Sequence, residues 1–210
     1  MIESLEERRF LSVTLDEGVL TVIGTHKADN IQLTVDPRTP DQVSVNVNGD
    51  VRRFLLSDVE QINILAGQGD DFIFVDRHQV KLTQPARIYG SGGNDVIASG
   101  IGNDRIYGGD GNDVIDAGPG HDIIYGEAGK DKIDGGAGND AIDGGSGNDV
   151  LIGSAGIDRI IGNSGNDLID SKDGDVDSVD GGSGNDTVFA DKLDGLTSIE
   201  VVNPSPNPFA

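Results

Sequence analysis

The strongest constraint on the fold is a nine-residue period that runs without interruption from residue 90 to residue 170. In each repeat the fourth residue is glycine, the sixth is aspartate and the eighth is aliphatic. The sixth-position residues are Asp95, Asp104, Asp113, Asp122, Asp131, Asp140, Asp149, Asp158 and Asp167. The eighth-position residues are Ile97, Ile106, Ile115, Ile124, Ile133, Ile142, Leu151, Ile160 and Ile169. This regularity predicts a repeat protein in which each repeat is one structural unit.

Each repeat predicts a tight turn followed by a short strand. In residues 108–116 the first six residues, Gly-Gly-Asp-Gly-Asn-Asp, tolerate positive φ and favour a turn. Side chains alternate along the last three residues, so Ile115 faces one side while Val114 and Asp116 face the other. Two repeats then form one coil of 18 residues, and coils stack about 4.8 Å apart as parallel strands. The sequence therefore predicts an all-β fold, a parallel β-roll (a right-handed β-solenoid with 18 residues per coil).

The charge of the chain is concentrated in its repeats and excludes several classes of function. Of the net charge of −22, residues 1–89 contribute −5 (9 Lys and Arg, 14 Asp and Glu), and residues 90–210 contribute −17 (6 against 23). Nucleic-acid binding requires a basic surface, so we expect no nucleic-acid partner. The chain has no cysteine, which excludes disulfides and thiolate metal sites. It also lacks an apolar segment long enough to span a membrane.

The stacked aspartates indicate that the fold requires cations. In the predicted coil the turns place carboxylates about 5 Å apart, and neighbouring charges at this distance repel by about 1 kcal/mol even in water. A divalent cation between them would convert the repulsion into attraction. Calcium suits the composition best, because it accepts six to eight oxygen ligands, including carboxylates and backbone carbonyls. Zinc is disfavoured by the absence of cysteine and of paired histidines.

The pattern Gly-Gly-x-Gly-x-Asp-x-aliphatic-x resembles the repeat of the RTX, or haemolysin-type, calcium-binding family. The resemblance implies that calcium lies between one turn and the turn two repeats later, held by sixth-position aspartates and glycine carbonyls. It predicts seven or more ions, seven of them in the uninterrupted block. The ligand residues that it implies are Asp71, Gly90, Gly92, Asp95, Gly100, Gly102, Asp104, Gly109, Gly111, Asp113, Gly118, Gly120, Asp122, Gly129, Asp131, Gly136, Gly138, Asp140, Gly145, Gly147, Asp149, Gly156, Asp158, Gly165, Asp167, Asp173, Asp175, Asp177, Gly182, Gly184 and Asp186.

Some turns depart from the pattern. The second glycine is replaced by Ser91, Glu127, Ser154 and Asn163, and the fifth-position asparagine by His121, Lys130 and Ile157. We expect the turn at residues 126–131 to bind calcium most weakly. Ser171 breaks the period, and residues 173–177 then predict a modified calcium turn. An EF-hand would require glycine and glutamate where Ser178 and Gly184 stand, so it is disfavoured.

The whole chain divides into four predicted regions, one of which contains the block. Residues 1–12 form a leader-like segment, in which residues 4–12 resemble the LEPR-XLL motif of bacterial surface proteins. Residues 13–89 predict a degenerate β-solenoid cap with one calcium-type turn at residues 66–74. Residues 90–189 form the β-roll, and residues 190–210 a closing strand at 199–202 followed by a proline-rich tail. A cap of this kind is typical of solenoids.

These features predict a calcium-binding module outside the cell or at the cell surface, with a structural or adhesive role. No HExxH motif or nucleophile elbow is present, so we expect no enzymatic activity. We expect a monomer whose partners, besides calcium, are cell-surface or matrix components. The alternative function is a calcium-dependent accessory domain of a secreted enzyme or toxin. Among outward-facing residues, Tyr107 and Tyr125 predict a stacked pair that could form a binding face.

Overall fold

The structure, a computed structural model, describes residues 12–76, 82–192, 194–199 and 201–202. These residues form one 3-10 helix (Leu56–Asp58) and short β-strands. The strands are β1 (Ser12–Asp16), β2 (Val19–Ile23), β3 (Asn30–Val35), β4 (Gln42–Val47), β5 (Asp50–Leu55), β6 (Gln61–Gln68), β7 (Phe72–Val75), β8 (Ala86–Gly92), β9 (Val96–Ala98), β10 (Arg105–Asp110), β11 (Val114–Asp116), β12 (Ile123–Ala128), β13 (Lys132–Asp134), β14 (Ala141–Ser146), β15 (Val150–Ile152), β16 (Arg159–Ser164), β17 (Leu168–Asp170), β18 (Ser178–Asp180), β19 (Thr187–Phe189), β20 (Gly195–Thr197) and β21 (Val201–Val202).

The strands form two sheets, and from β5 onward consecutive strands of the chain belong to the two sheets in turn. The first sheet has the order β1-β2-β6-β8-β10-β12-β14-β16-β18-β20, and the second has the order β21-β19-β17-β15-β13-β11-β9-β7-β3-β4-β5. From β6 onward, neighbouring strands in each sheet are parallel and belong to successive coils. One edge of the roll therefore carries the turns that lead from the first sheet to the second, and the other edge carries the turns that lead back. The predicted β-roll is confirmed.

The register of the parallel strands confirms the predicted coil of 18 residues. In the first sheet Ile106 pairs with Ile88 before it and Ile124 after it. In the second sheet Ile115 pairs in the same way with Ile97 and Ile133. Because the spacing of the pairs equals two nonapeptides, each repeat position stacks on the same position of the next coil. The repeats thus generate continuous ladders of identical side chains.

The core between the sheets consists of the eighth-position side chains. All nine aliphatic residues of the uninterrupted block are 0–1% exposed. The seventh- and ninth-position side chains point outward, as in β11, where Val114 is 45% exposed and Ile115 is 1% exposed. The burial follows the alternation of side chains along a strand. With one residue from each strand in the interior, the roll is narrow, and the turns lie close to the core.

The region before the block continues both sheets but differs from a series of short coils. Strands β2 and β6 are parallel, and so are β3 and β7, so this region contributes coils to the roll. Antiparallel pairs, β1 with β2 and β3-β4-β5, extend the sheets at the end of the roll. The turn between β4 and β5 has positive φ at Asn48 and Gly49, a conformation that asparagine and glycine adopt more readily than other residues. Strand β8 runs across the predicted boundary between residues 89 and 90.

At the other end, the structure locates the extra residue that interrupts the period. The amide of Ser171 donates a hydrogen bond to the carbonyl of Phe189, as that of Gly153 does to Asp170 one coil earlier. Ser171 therefore keeps its place, and the extra residue lies within the turn that follows it. This corrects the prediction that Ser171 itself breaks the period. Strand β21 begins at Val201, two residues later than the predicted closing strand.

Two predicted segments cannot be compared with the structure. The segment that resembles the LEPR-XLL motif, residues 4–12, lies outside the described residues except for Ser12. The proline-rich tail, from residue 203 onward, also lies outside them. In the part of the chain that is described, no helix has the length and hydropathy needed to cross a membrane.

Candidate metal centre

The sixth-position aspartates form two hydrogen-bonded rows, one along each edge of the roll. In each row the amide of one aspartate donates to Oδ1 of the aspartate in the next coil, as from Asp95 to Asp113 at 2.8 Å. The first row comprises Asp29, Asp71, Asp95, Asp113, Asp131, Asp149, Asp167 and Asp186. The second row comprises Asp104, Asp122, Asp140, Asp158, Asp177 and Asp194. The predicted pairing of alternate repeats is therefore present.

The other carboxylate oxygen, Oδ2, distinguishes most members of the rows from one end residue of each row. Oδ2 is buried and accepts no hydrogen bond within the described structure in Asp71, Asp95, Asp104, Asp113, Asp122, Asp131, Asp140, Asp149, Asp158, Asp167 and Asp177. These residues are at most 3% exposed. At the ends, by contrast, Oδ2 of Asp29 accepts from the amide of Thr25, and Oδ2 of Asp194 accepts from the amide of Asp191. Buried polar atoms are normally paired, so these oxygens as a group indicate a partner other than the protein.

Burial makes the charged form of these carboxyl groups costly in the metal-free fold. Desolvation raises the pKa of Asp131 from 3.8 to about 7 and that of Asp122 to about 8. Neighbouring carboxylates of the same row raise both values further, and the backbone hydrogen bonds to Oδ1 oppose the rise. The pKa values of Asp71 and Asp158 rise to about 7 for the same reasons. A cation beside Oδ2 would remove this penalty.

Backbone carbonyl oxygens of adjacent coils lie in the same gaps as the Oδ2 atoms of the aspartates. A methyl group placed at Gly108 would lie 2.9 Å from the carbonyl oxygen of Gly126 and would overlap Oδ2 of Asp113. One placed at Gly111 would overlap the carbonyl oxygen of Gly93. Carbonyls of the turn glycines thus point into the gap between coils, where the free carboxylate oxygen also lies. At Gly108 and Gly111 a side chain would displace these oxygens.

The donor set fits calcium. Among the described residues, no group of three or more His, Cys, Asp or Glu side chains converges, so side chains alone cannot surround an ion. Two aspartates of one row and the carbonyls of their turns supply oxygen ligands only, and calcium accepts carboxylate and carbonyl oxygens together. In each gap the aspartates and turn glycines would hold the ion. Bound there, it would neutralise the carboxylates and tie two coils together.

The comparison with protein families decides what this arrangement is. The model of the RTX calcium-binding nonapeptide repeat (4 copies) matches over residues 89–124, 107–142, 116–151, 143–176 and 175–194. Together these matches span just over half of the chain. The chain belongs to the RTX calcium-binding nonapeptide repeat family. It matches no curated protein and no solved structure. As an RTX protein it is a calcium-binding β-roll module.

The turns of this RTX chain that lack the second glycine keep the same backbone conformation. The residues that replace glycine have positive φ: Ser91 (83°), Glu127 (74°), Ser154 (68°) and Asn163 (69°). Gly145, at the equivalent position, has φ of 96°. Positive φ is unfavourable for residues with a side chain, so the surrounding turn imposes it. The weak binding expected of residues 126–131 stays a prediction, since the turn has the regular conformation.

Three of the predicted ligand positions differ in the structure. Gly92 has the side chain of Gln68 beside it, and the carbonyl-facing position belongs to the next residue, Gly93. Gly93 therefore replaces Gly92 as the fourth-position glycine of that turn. Asp177 lies in the second row, but Asp173 and Asp175 are exposed. Asp173 accepts hydrogen bonds from the amides of Gly156 and Asp175, which orders the longer turn.

The structure shows a role for the fifth-position asparagine that the sequence pattern left unexplained. The fifth-position asparagines form a second ladder on the outer side of the turns, in which Oδ1 accepts from the amide of the fifth residue one coil later. Examples are Asn112 to Asn94 at 2.9 Å and Asn166 to Asn148 at 2.8 Å. In the second row His121 takes this place and accepts through Nδ1. The asparagine of the RTX repeat is thus an acceptor between coils.

Proposed function

We propose that this chain is an extracellular structural or adhesive module that becomes a rigid rod when calcium binds between its coils. The observation that carries the proposal is the row of buried aspartate oxygens without hydrogen-bond partners among the described residues. With eleven such oxygens, the metal-free fold keeps many desolvated carboxyl groups. Calcium concentrations are low in the cytosol and high outside the cell, so the chain would fold after export.

The test is far-UV circular dichroism of the whole chain in EDTA, followed by titration with calcium, with magnesium as the control. We expect a cooperative gain of β signal with calcium at neutral pH and little with magnesium, which prefers fewer ligands in strict octahedral geometry. A complete β spectrum in EDTA at pH 8 that calcium does not change would refute folding by calcium.

The adhesive role is supported by an aromatic ladder on the outer face of the first sheet. The rings of Tyr89 and Tyr107 stack at 4.8 Å, and those of Tyr107 and Tyr125 stack at 5.0 Å. The predicted pair is present, and Tyr89 extends it. Arg87 and Arg105 lie beside the ladder in the same strands. Tyrosine and arginine are enriched at binding surfaces.

A shallow cleft of about 250 Å³ adjoins this face and is lined in part by Gln61, Arg87, Arg105 and His121. Asp104, which is buried, also lines this cleft. Two arginines on this face of a strongly acidic chain favour an anionic cell-surface or matrix component as the partner. The test compares adhesion of calcium-loaded protein with that of a variant carrying serine at Tyr107 and Tyr125. Unchanged adhesion would refute a role for this face.

We further propose that the chain is a monomer and is not itself an enzyme. Acid–base catalysis requires carboxyl groups that can reach a substrate, whereas the aspartates with raised pKa values are buried within the turns. Their titration serves the metal sites.

A further inference from the structure

The first residue of each turn differs between the two rows. In the first row this position is always glycine within the block and just beyond it: Gly90, Gly108, Gly126, Gly144, Gly162 and Gly181. In the second row it is occupied by Ser99, Ala117, Gly135, Gly153 and Ser171, which the backbone hydrogen bonds place in equivalent positions. At the first position of the turn, the second row therefore has residues with side chains at both of its ends, whereas the first row has only glycine.

The space beside this position is where the oxygens of a gap converge. A methyl group at Gly126 would lie 2.5 Å from Oδ2 of Asp131 and would overlap the carbonyl oxygen of Gly144. Both atoms belong to the set that fits calcium, one from the same turn and one from the next coil. In a turn that begins with glycine, the space between these two oxygens stays open. The first residue of the turn therefore controls access to the gap.

Ser99 fills this space at the beginning of the second row. Its side chain is 1% exposed, and Oγ donates a hydrogen bond of 2.7 Å to the carbonyl oxygen of Ala117. This carbonyl corresponds to that of Gly144 in the first-row turn. A calcium ion in the gap between Asp104 and Asp122 would have to displace the hydroxyl group and break a buried hydrogen bond. The hydroxyl already satisfies an oxygen that the ion would need.

Ser171 does the same at the other end. It is also 1% exposed, and Oγ donates to Oδ2 of Asp194 at 3.0 Å. The amide of Asp191 donates to the same oxygen, and the amide of Asp177 donates to Oδ1. Both carboxylate oxygens of Asp194 are thus paired within the chain. Ala117, between the two ends, brings a methyl group but no donor.

We propose that the hydroxyl groups of Ser99 and Ser171 replace calcium at the two ends of the second row. Calcium in this row is then confined to the interior turns that begin with Gly135 and Gly153, while the first row binds it throughout the block. This inference rests on the proposed binding of calcium between the coils. The two edges of the roll then differ: at the ends of the second row hydrogen bonds from serine connect the coils, whereas in the first row calcium connects them.

The test is a count of bound calcium ions by isothermal titration calorimetry, with elemental analysis of the gel-filtered whole chain. We expect Ser99→Gly to bind one more ion than the wild type. The matched control is Ser146→Gly, which removes the same atoms from an exposed third position in a first-row turn and should leave the count unchanged. The reverse change, Gly90→Ser, should remove one ion: φ at Gly90 is not positive, but the added Cβ would overlap Oδ2 of Asp95 and would displace the oxygens of that gap.

The outcomes separate this inference from the proposed function. A wild-type chain that binds no calcium would refute both. A wild type that binds calcium, together with an unchanged count in folded Ser99→Gly, would overturn the role of the hydroxyl group alone. Should Gly90→Ser fail to fold in calcium, the count in Ser99→Gly still decides.

Discussion

Replacement of Asp122 by asparagine should stabilise the metal-free fold, although it removes an aspartate that recurs in every repeat of the block. Burial and the neighbouring aspartates raise the pKa of Asp122 from 3.8 to about 8. A carboxyl group whose pKa is raised by folding binds more protons in the folded than in the unfolded chain. The free energy of unfolding therefore falls as the pH rises from about 4 to about 8. Asparagine avoids this loss and keeps the Oδ1 that accepts from the amide of Asp104.

The size of the effect on the free energy of unfolding follows from the pKa shift of Asp122. One pKa unit corresponds to about 1.4 kcal/mol, so ionisation of Asp122 costs the metal-free fold roughly 6 kcal/mol above pH 8. This is comparable to the whole stability of a small domain, about 5–15 kcal/mol. Several other carboxyl groups, including Asp131 and Asp158 with pKa values of about 7, add to the same trend. The metal-free chain should consequently lose its fold between pH 5 and pH 8.

The assay is far-UV circular dichroism in EDTA as a function of pH. We expect the β signal of the wild type to decrease as the pH rises, and the midpoint for Asp122→Asn to lie at higher pH. Asp110→Asn, which alters an exposed carboxylate in another turn, serves as the control and should behave as the wild type. A wild type that is equally folded in EDTA at pH 5 and pH 8 would refute the reasoning.

Three further changes test the core, the metal sites and the outer ladder. Ile124→Ala should lower the free energy of unfolding in calcium by about 2–5 kcal/mol, whereas Ile157→Ala, at a side chain 57% exposed, should change it little. Urea denaturation measures both free energies, and equal effects of the two substitutions would contradict the placement of Ile124 in the core. Asp149→Asn should bind two fewer calcium ions in calorimetry, because Asp149 borders two gaps of the first row; an unchanged count would exclude it as a ligand. Lys130→Asn should raise stability by about 1 kcal/mol by offering an acceptor to the amide of Asn148; a lower urea midpoint would contradict this role of the fifth position.

The nonapeptide pattern was sufficient to predict the rows of aspartates within the block. Two repeats close one coil, so Asp95 must stack on Asp113, and the alternation along each strand buries Ile97 and exposes Val96. The ends of the rows could not be predicted in this way. Asp29 and Asp71 are neighbours in the first row, but 42 residues separate them because the hairpin of β4 and β5 is inserted between their coils. Nothing in the period specifies such an insertion.

The position of the extra residue near Ser171 has a physical explanation. The sequence permits the insertion either at Ser171 or within the turn that follows. A shift of one residue in a strand would move every side chain to the opposite face of the sheet, exposing core residues such as Val179. A turn at the edge accommodates the residue without disturbing the core, and Asp173 orders the enlarged loop through the amide of Gly156. The insertion therefore lies in the turn.

The row of aspartates and the outer ladder of fifth-position residues explain why calcium would couple the coils along one edge of the roll. Each interior aspartate borders two gaps, so an ion that fixes Asp131 against Asp113 also orients Asp131 for the ion between it and Asp149. In a linear array, interactions of this kind between neighbours give cooperative assembly. The outer ladder adds to the coupling but is interrupted at Lys130, whose side chain offers no acceptor. Binding along the first row should thus be more cooperative than in the second row, where serines close both ends and leave only a short interior run.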